Sequence, residues 1–209
     1  MEFVRNLQHT HPNADAIFQG IQYFLRKQGS AGPIHTIFCL DDSGSMTPHW
    51  TSVKEAVRAF IEIRRELGSP GDLFSCIQFS SKPKLSFQQA PIATALEQAS
   101  GLTLRGGGTL FSPALQAVSG LVKAGQQVAI VFMTDGESSD SPVAIAQSIM
   151  AKGAQISFFG IAFTPDGKTE ILQNTVKAFN GVLVEAANVQ ELRAQFQVIA
   201  QNPTAAHAK

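Results

Sequence analysis

Thr36-Ile37-Phe38-Cys39-Leu40-Asp41-Asp42-Ser43-Gly44-Ser45-Met46 is the stretch on which the reading of the chain turns. Its apolar run, Ile37 to Leu40, stops abruptly at two carboxylates, two hydroxyls and a glycine. So short a run does not make a helix and suits a buried strand bounded by turn signals, here over residues 34–40. The polar cluster then falls in the loop at the strand's carboxyl end, where open α/β sheets bind their ligands. Asp41, Ser43 and Ser45 are spaced i, i+2, i+4, and Gly44 lets the backbone fold so that their side chains converge. A carboxylate with two neutral hydroxyls is hard oxygen chemistry, suited to Mg²⁺, Mn²⁺ or Ca²⁺.

Working outward, the chain alternates between helix and strand. Residues 50–67 carry Val53, Val57, Phe60, Ile63 and Leu67 near one stripe, a helix ended by Gly68-Ser69-Pro70-Gly71. Strands are expected at 72–79, 127–133, 155–163 and 181–184, and helices at 91–98, 111–123, 142–152, 168–179 and 189–201. Residues 82–88, with Pro83 and two lysines, suit a short edge strand. Such alternation predicts an α/β fold: a doubly wound, mostly parallel sheet with helices on both faces and one short antiparallel edge strand. An amphipathic helix over 13–27, with Ile17, Ile21, Phe24 and Leu25 on one face, precedes this core. The expected organisation is a helical extension over 1–33, the α/β domain over 34–201, and a polar tail over 202–209.

Two further segments join the opening stretch. Gly107-Gly108-Thr109 is followed by Ala114-Leu115, and the apolar run 128–133 ends in Thr134-Asp135-Gly136. With Asp41-x-Ser43-x-Ser45 these resemble, in the same order, the three elements of the metal-ion-dependent adhesion site of von Willebrand factor A domains. The resemblance spans roughly residues 34–201. It implies the Rossmann-like fold of that family and a site built from Asp41, Ser43, Ser45, Thr109 and Asp135. It also implies roles: the serines bind the ion directly, the threonine directly or through water, and the aspartates often through water. Mg²⁺ is the expected ion, with Mn²⁺ or Ca²⁺ as alternatives. An ion with few direct carboxylates keeps residual charge and an open position, which an Asp or Glu of a partner protein can fill. Asp42 occupies the variable position and is not assigned as a ligand.

Composition narrows the partners. The 209-residue chain is 44% hydrophobic and only 15% charged, with zero formal net charge, so it has no basic field for nucleic acid or an anionic membrane. Its apolar runs fall far short of the roughly 20 residues a membrane helix needs. The first eleven residues carry charges and no apolar stretch of signal-peptide type. Cys39 and Cys76 lie inside expected strands and read as small buried hydrophobes. These features lead us to expect a cytoplasmic protein that assembles complexes.

Other readings stand beside this one. Asp41 to Ser45 and Thr109 also suit helix caps, and Asp135-Gly136 suits a plain turn. A Mg²⁺-dependent hydrolase is an alternative, but no nucleophile with a neighbouring base is apparent, so no enzymatic activity is expected. A metal-independent scaffold is another. Gly167-Lys168-Thr169 lacks the glycine a phosphate loop needs at Ala162, and Gly106-Gly107-Gly108 lacks the one a dinucleotide fingerprint needs at Phe111. Glu137 and Asp140 belong to a solvated loop or to the rim of the site, with the loop preferred. His49 and Arg105 are rim candidates, and Trp50 either lines the rim or anchors its helix in the core.

Overall fold

The apolar run of the opening stretch is a strand, β1 (Ile34–Asp41), buried at every residue. A strand covered on both faces belongs in the middle of a parallel sheet. In the computed structural model, which describes residues 32–136, 138–163 and 169–204, β1 is flanked in parallel by β2 (Leu73–Phe79) and β4 (Gln127–Thr134). β5 (Gln155–Ala162) and β6 (Val182–Glu185) continue the parallel sheet beyond β4. On the other side, β3 (Pro83–Pro91) pairs antiparallel with β2 and closes the edge. The order among the described residues is β3-β2-β1-β4-β5-β6, the mostly parallel α/β sheet expected.

The pleat sends alternate side chains to two cores. On one face Phe38, Leu40, Val131, Met133, Phe159 and Ile161 meet three helices: α1 (Trp50–Glu66), α2 (Ile92–Ser100) and α6 (Val189–Gln201). On the other face Ile37, Cys39, Ile130, Phe132 and Phe158 meet α3 (Phe111–Leu121), α4 (Val143–Met150) and α5 (Glu170–Ala178). Phenylalanine dominates both layers. Phe38 lies 5.1 Å, centroid to centroid, from Phe60 in an edge-to-face contact, and Phe158 stacks on Phe179 at 4.2 Å. Gly160 lets α5 lie close on β5, because a Cβ there would come within 2.4 Å of Val176 Cγ2.

The amino end of β1 is closed by one charge pair. Arg64 Nε of α1 donates to Asp72 Oδ2 at 2.7 Å and Arg64 Nη1 to the Ala200 carbonyl of α6 at 3.3 Å, while Ile34 N donates to Asp72 Oδ1 at 3.0 Å. A single buried ion pair thus ties two helices to the start of two strands.

Most element positions agree with those read from the sequence, and two features differ. β3 spans nine residues and reaches Pro91, where a shorter strand ending at residue 88 is expected. Its prolines stand at the ends, where a missing N–H costs no ladder bond, and its pairing shifts register opposite Phe74 and Cys76, with Gln89 at φ 45°. A 3₁₀ turn over Gly44–His49 precedes α1. Residues 189–201 form α6 as expected, whereas the expected helix over 13–27 lies outside the described residues, as do residues 205–209. Both cysteines are free and buried in adjacent strands.

Candidate functional site

The strand order reverses between β1 and β4: the chain runs from β1 outward to β2 and β3, then returns on the opposite side of β1. Connections leaving two neighbouring strands in opposite directions open a crevice at their carboxyl ends. β1 brings Asp41 and the Ser43–Ser45 turn to this crevice. β4, in register with β1 through Leu40 and Met133, brings Thr134 and Asp135.

A continuous chain of polar contacts joins these residues. Thr134 Oγ1 donates to Asp41 Oδ2 at 2.6 Å, and Ser43 N donates to Asp41 Oδ1 at 2.9 Å. Ser43 Oγ and Ser45 Oγ are 3.1 Å apart, and Ser45 Oγ donates to Asp135 Oδ1 at 2.9 Å. Asp41 and Ser43 are buried, Asp135 is half-buried and Ser45 is exposed, so the cluster rises from a closed floor to an open mouth. Four of the five residues singled out in the sequence therefore meet. Ser43 stands at the cap of the 3₁₀ turn without a side-chain bond to it, and the cap position of α3 is held by Leu110 rather than Thr109.

Thr109, the fifth, arrives on the glycine loop. Gly44 N donates to the Gly107 carbonyl at 3.1 Å and Gly106 N to the Asp42 carbonyl at 2.9 Å, which lays the loop against the serine turn. Gly106 and Gly107 have φ of 80° and 107°, conformations that a side chain would strain. Thr109 is half-buried just before α3, and its carbonyl accepts from Ser138 Oγ at 3.4 Å. Among the described residues its hydroxyl makes none of the contacts that link the other four.

Burial sets the electrostatics. Desolvation pushes the Asp41 carboxyl up to about 6, against the pull of the Thr134 and Ser43 hydrogen bonds and with a further push from Asp135. Desolvation also raises Asp135, partly offset by Ser45. Among the described residues neither of them forms a salt bridge. Two neighbouring carboxyls that resist ionisation, lined by hydroxyls, form a site that a divalent cation would relieve.

The donor set fits such an ion. Oxygens on one edge of an octahedron with bonds of about 2.1 Å are about 3.0 Å apart, close to the 3.1 Å and 2.9 Å spacings of Ser43, Ser45 and Asp135. No cluster of three or more His, Cys, Asp or Glu placed to hold a metal occurs among the described residues. The candidate set instead takes its donors from hydroxyls as well as from Asp41 and Asp135.

Several neighbours have roles that the sequence leaves open or misses. Asp140 is no solvated loop residue: its Oδ1 and Oδ2 accept from Phe111 N at 3.0 Å and Ser112 N at 2.7 Å, capping α3. Partial burial raises its carboxyl, but the bonds from Ser138, Ser112 and Phe111 outweigh that and hold it below the ordinary value. Trp50 is a core anchor, its Nε1 donating to the Leu102 carbonyl at 3.4 Å. His49 is half-buried, its ring edge-on to Phe163 at 4.9 Å. Thr134 lies inside the quoted Thr134-Asp135-Gly136 element, yet only the strand register reveals its hydroxyl as the partner of Asp41. The Glu137 side chain lies outside the described residues.

The doubly wound sheet and the hydroxyl-rich cluster at its switch point define the class: an α/β domain with an oxygen-lined polar crevice at its carboxyl-end face. The family model for the von Willebrand factor type A domain matches residues 36–202, and the chain belongs to that family. No curated protein matches the chain in sequence. Solved structures share its fold at low identity. Proximal thread matrix protein 1 from the mussel byssus superposes with TM-score 0.65 at 20% identity, over 80% of this chain and 47% of its own. A von Willebrand factor type A protein from Catenulispora acidiphila gives 0.68 at 18%, over 84% and 43%. The pilus adhesin SpaC from Lactobacillus rhamnosus GG gives 0.70 at 16%, over 85% and 31%. The chain thus spans less than half the length of each of these proteins.

Proposed function

We propose that this chain is a cation-dependent protein-binding module. Ser43 and Ser45 would hold the ion directly, Thr109 directly or through water, with Asp41 and Asp135 acting from behind them through water, and the exposed mouth at Ser45 would receive an Asp or Glu side chain of a partner protein. The bound cation would supply a Lewis-acidic position for that carboxylate. The observation that carries the reading is the unbroken run of contacts Thr134–Asp41–Ser43–Ser45–Asp135 at the switch point. Family membership supports it, since domains of this family generally serve protein interaction.

The chain's own residues do the preparatory work. Asp41 fixes the serine turn through the Ser43 amide and is itself fixed by Thr134, so both serine hydroxyls are set before a ligand arrives. Hard oxygen donors favour Mg²⁺, with Mn²⁺ and Ca²⁺ as alternatives. The mussel protein has been solved with a zinc-occupied MIDAS motif, at 20% identity to this chain, which adds Zn²⁺ to the ions worth testing. We assign the site binding rather than turnover. Two free, buried thiols suit a reducing cytoplasm, where the module would assemble a complex. No described helix is long and apolar enough to cross a membrane.

Calorimetric titration with Mg²⁺, Mn²⁺, Ca²⁺ and Zn²⁺, followed by capture of partners with cation or chelator, tests the proposal. Saturable heat in the wild type, lost in Asp41→Asn, together with partners lost in chelator supports it. No heat and chelator-insensitive partners would instead favour a metal-independent scaffold.

A further inference from the structure

Asp42 stands between two residues of the candidate site and has no part in it. It is fully buried, and both its carboxylate oxygens are taken by one guanidinium: Arg105 Nε donates to Oδ2 at 2.6 Å and Arg105 Nη2 to Oδ1 at 2.8 Å. Gln78 Nε2 adds a bond to Oδ2 at 3.0 Å and another to the Thr103 carbonyl at 2.8 Å. Arg105 Nη2 reaches on to the Lys82 carbonyl at 3.0 Å, and the Asp42 main chain bonds Phe79 O and Gly106 N at 2.8 Å and 2.9 Å. The residue beside Asp41 is thereby bonded to β2, to the turn before β3 and to the loop that carries Thr109.

That loop needs fastening. Arg105 is followed by three glycines, which lose more conformational entropy on ordering than any other residue. Among the described residues the Thr109 side chain makes no hydrogen bond to the cluster to hold it there, and on its far side α3 is already capped by Asp140. A bidentate arginine–carboxylate fork is directional as well as strong and fixes orientation in a way that a point charge does not.

We propose that the Asp42–Arg105 fork is a positioning latch: it orders the glycine loop in advance, so that Thr109 is presented to the cation beside Ser43 and Ser45. This rests on the cation reading above. Arg105 is here a positioning residue that acts through Thr109 and bonds no ligand itself.

The test compares wild type, Arg105→Gln, Thr109→Ala and their combination, with Mn²⁺ as the probe. In cation-free protein, Arg105→Gln is expected to speed amide exchange across residues 103–110 and to leave β5 unchanged. It is expected to weaken Mn²⁺ about 10-fold to 100-fold, as loss of outer-shell support does, and to add little on the Thr109→Ala background. Arg105→Lys keeps a charge opposite the buried carboxylate without the fork, and should fall between wild type and Arg105→Gln. Were Arg105 merely neutralising Asp42, its loss would leave the site more negative and tighten Mn²⁺, and Asp42→Asn with Arg105→Gln would restore wild-type affinity. Tighter or unchanged Mn²⁺ binding, unaltered exchange, or strict additivity with Thr109→Ala overturns the latch while the cation reading stands. A wild type that takes up no Mn²⁺ overturns both.

Discussion

Asp72 and Asp41 sit at opposite ends of β1, and both are buried. At the amino end, Asp72 has an arginine on one oxygen and the Ile34 amide on the other, and Arg64 continues to a helix carbonyl. That cluster is complete and asks for nothing from outside. At the carboxyl end, Asp41 is met by Thr134 and Ser43 and its neighbour Asp135 by a serine, with no ion pair to either among the described residues. A buried carboxylate met by an arginine is structure; two met only by neutral donors leave a negative site open to a cation. Asp42 sharpens the contrast, because it adjoins Asp41 in sequence yet, with Arg105, belongs to the first kind.

The largest expected effect separates binding from stability. Asp41→Asn should abolish cation uptake in calorimetry while shifting cation-free stability by no more than about 1 kcal/mol, since it removes an uncompensated charge and keeps hydrogen-bonding atoms. Arg64→Ala should do the reverse. It strands the Asp72 carboxylate and should cost about 3–5 kcal/mol in denaturant unfolding, with cation affinity in the folded fraction unchanged. If both variants lost stability alike, the two ends would not differ in kind.

Acid pH probes the same division. Burial, helped by Lys123, holds His35 down to about 4 from an ordinary 6.5. Below pH 6.5 the unfolded chain takes up that proton first, so stability is lost as pH falls towards 4, by roughly 3 kcal/mol. Asp41 acts in the opposite sense. With its carboxyl raised to about 6 from 3.8, the folded state holds the extra proton between those values, and stability is gained as pH falls through that window. Wild type should therefore change little between pH 6.5 and 4, and Asp41→Asn should expose the histidine's loss in thermal or urea melts at stepped pH. An equally flat profile in the variant would contradict the assignment of burial to Asp41.

A smaller effect tests the packing that supports the crevice. Gly160→Ala places a methyl against Val176 and should cost about 1–3 kcal/mol by overpacking, without altering cation affinity, because α5 and β5 supply none of the candidate ligands. Urea unfolding beside calorimetry reads both quantities.

How much of this was legible beforehand follows the range of the interactions. Strands 34–41 and 127–134 and helix 189–201 are visible because burial on both faces, or on one stripe, leaves a local pattern. Asp41, Ser43, Ser45 and Asp135 are visible because each closes an apolar run with oxygen-bearing side chains. Trp50 was ambiguous because its partner, the Leu102 carbonyl, lies 52 residues away. The Asp42–Arg105 fork spans 63 residues and the Asp140 cap on α3 spans 29, so neither leaves a trace in local spacing. β3 runs past its expected end because a proline at a strand terminus resembles a strand breaker until the pairing is known.

The most direct measurement is a crystal of the protein grown with Mn²⁺ and examined for anomalous scattering at the manganese edge. The account expects one peak in the β1–β4 crevice, within bonding distance of the Ser43 and Ser45 hydroxyls and with Thr109 turned toward it. A crevice without a peak, its serines still bonded as Ser43–Ser45–Asp135, would contradict it.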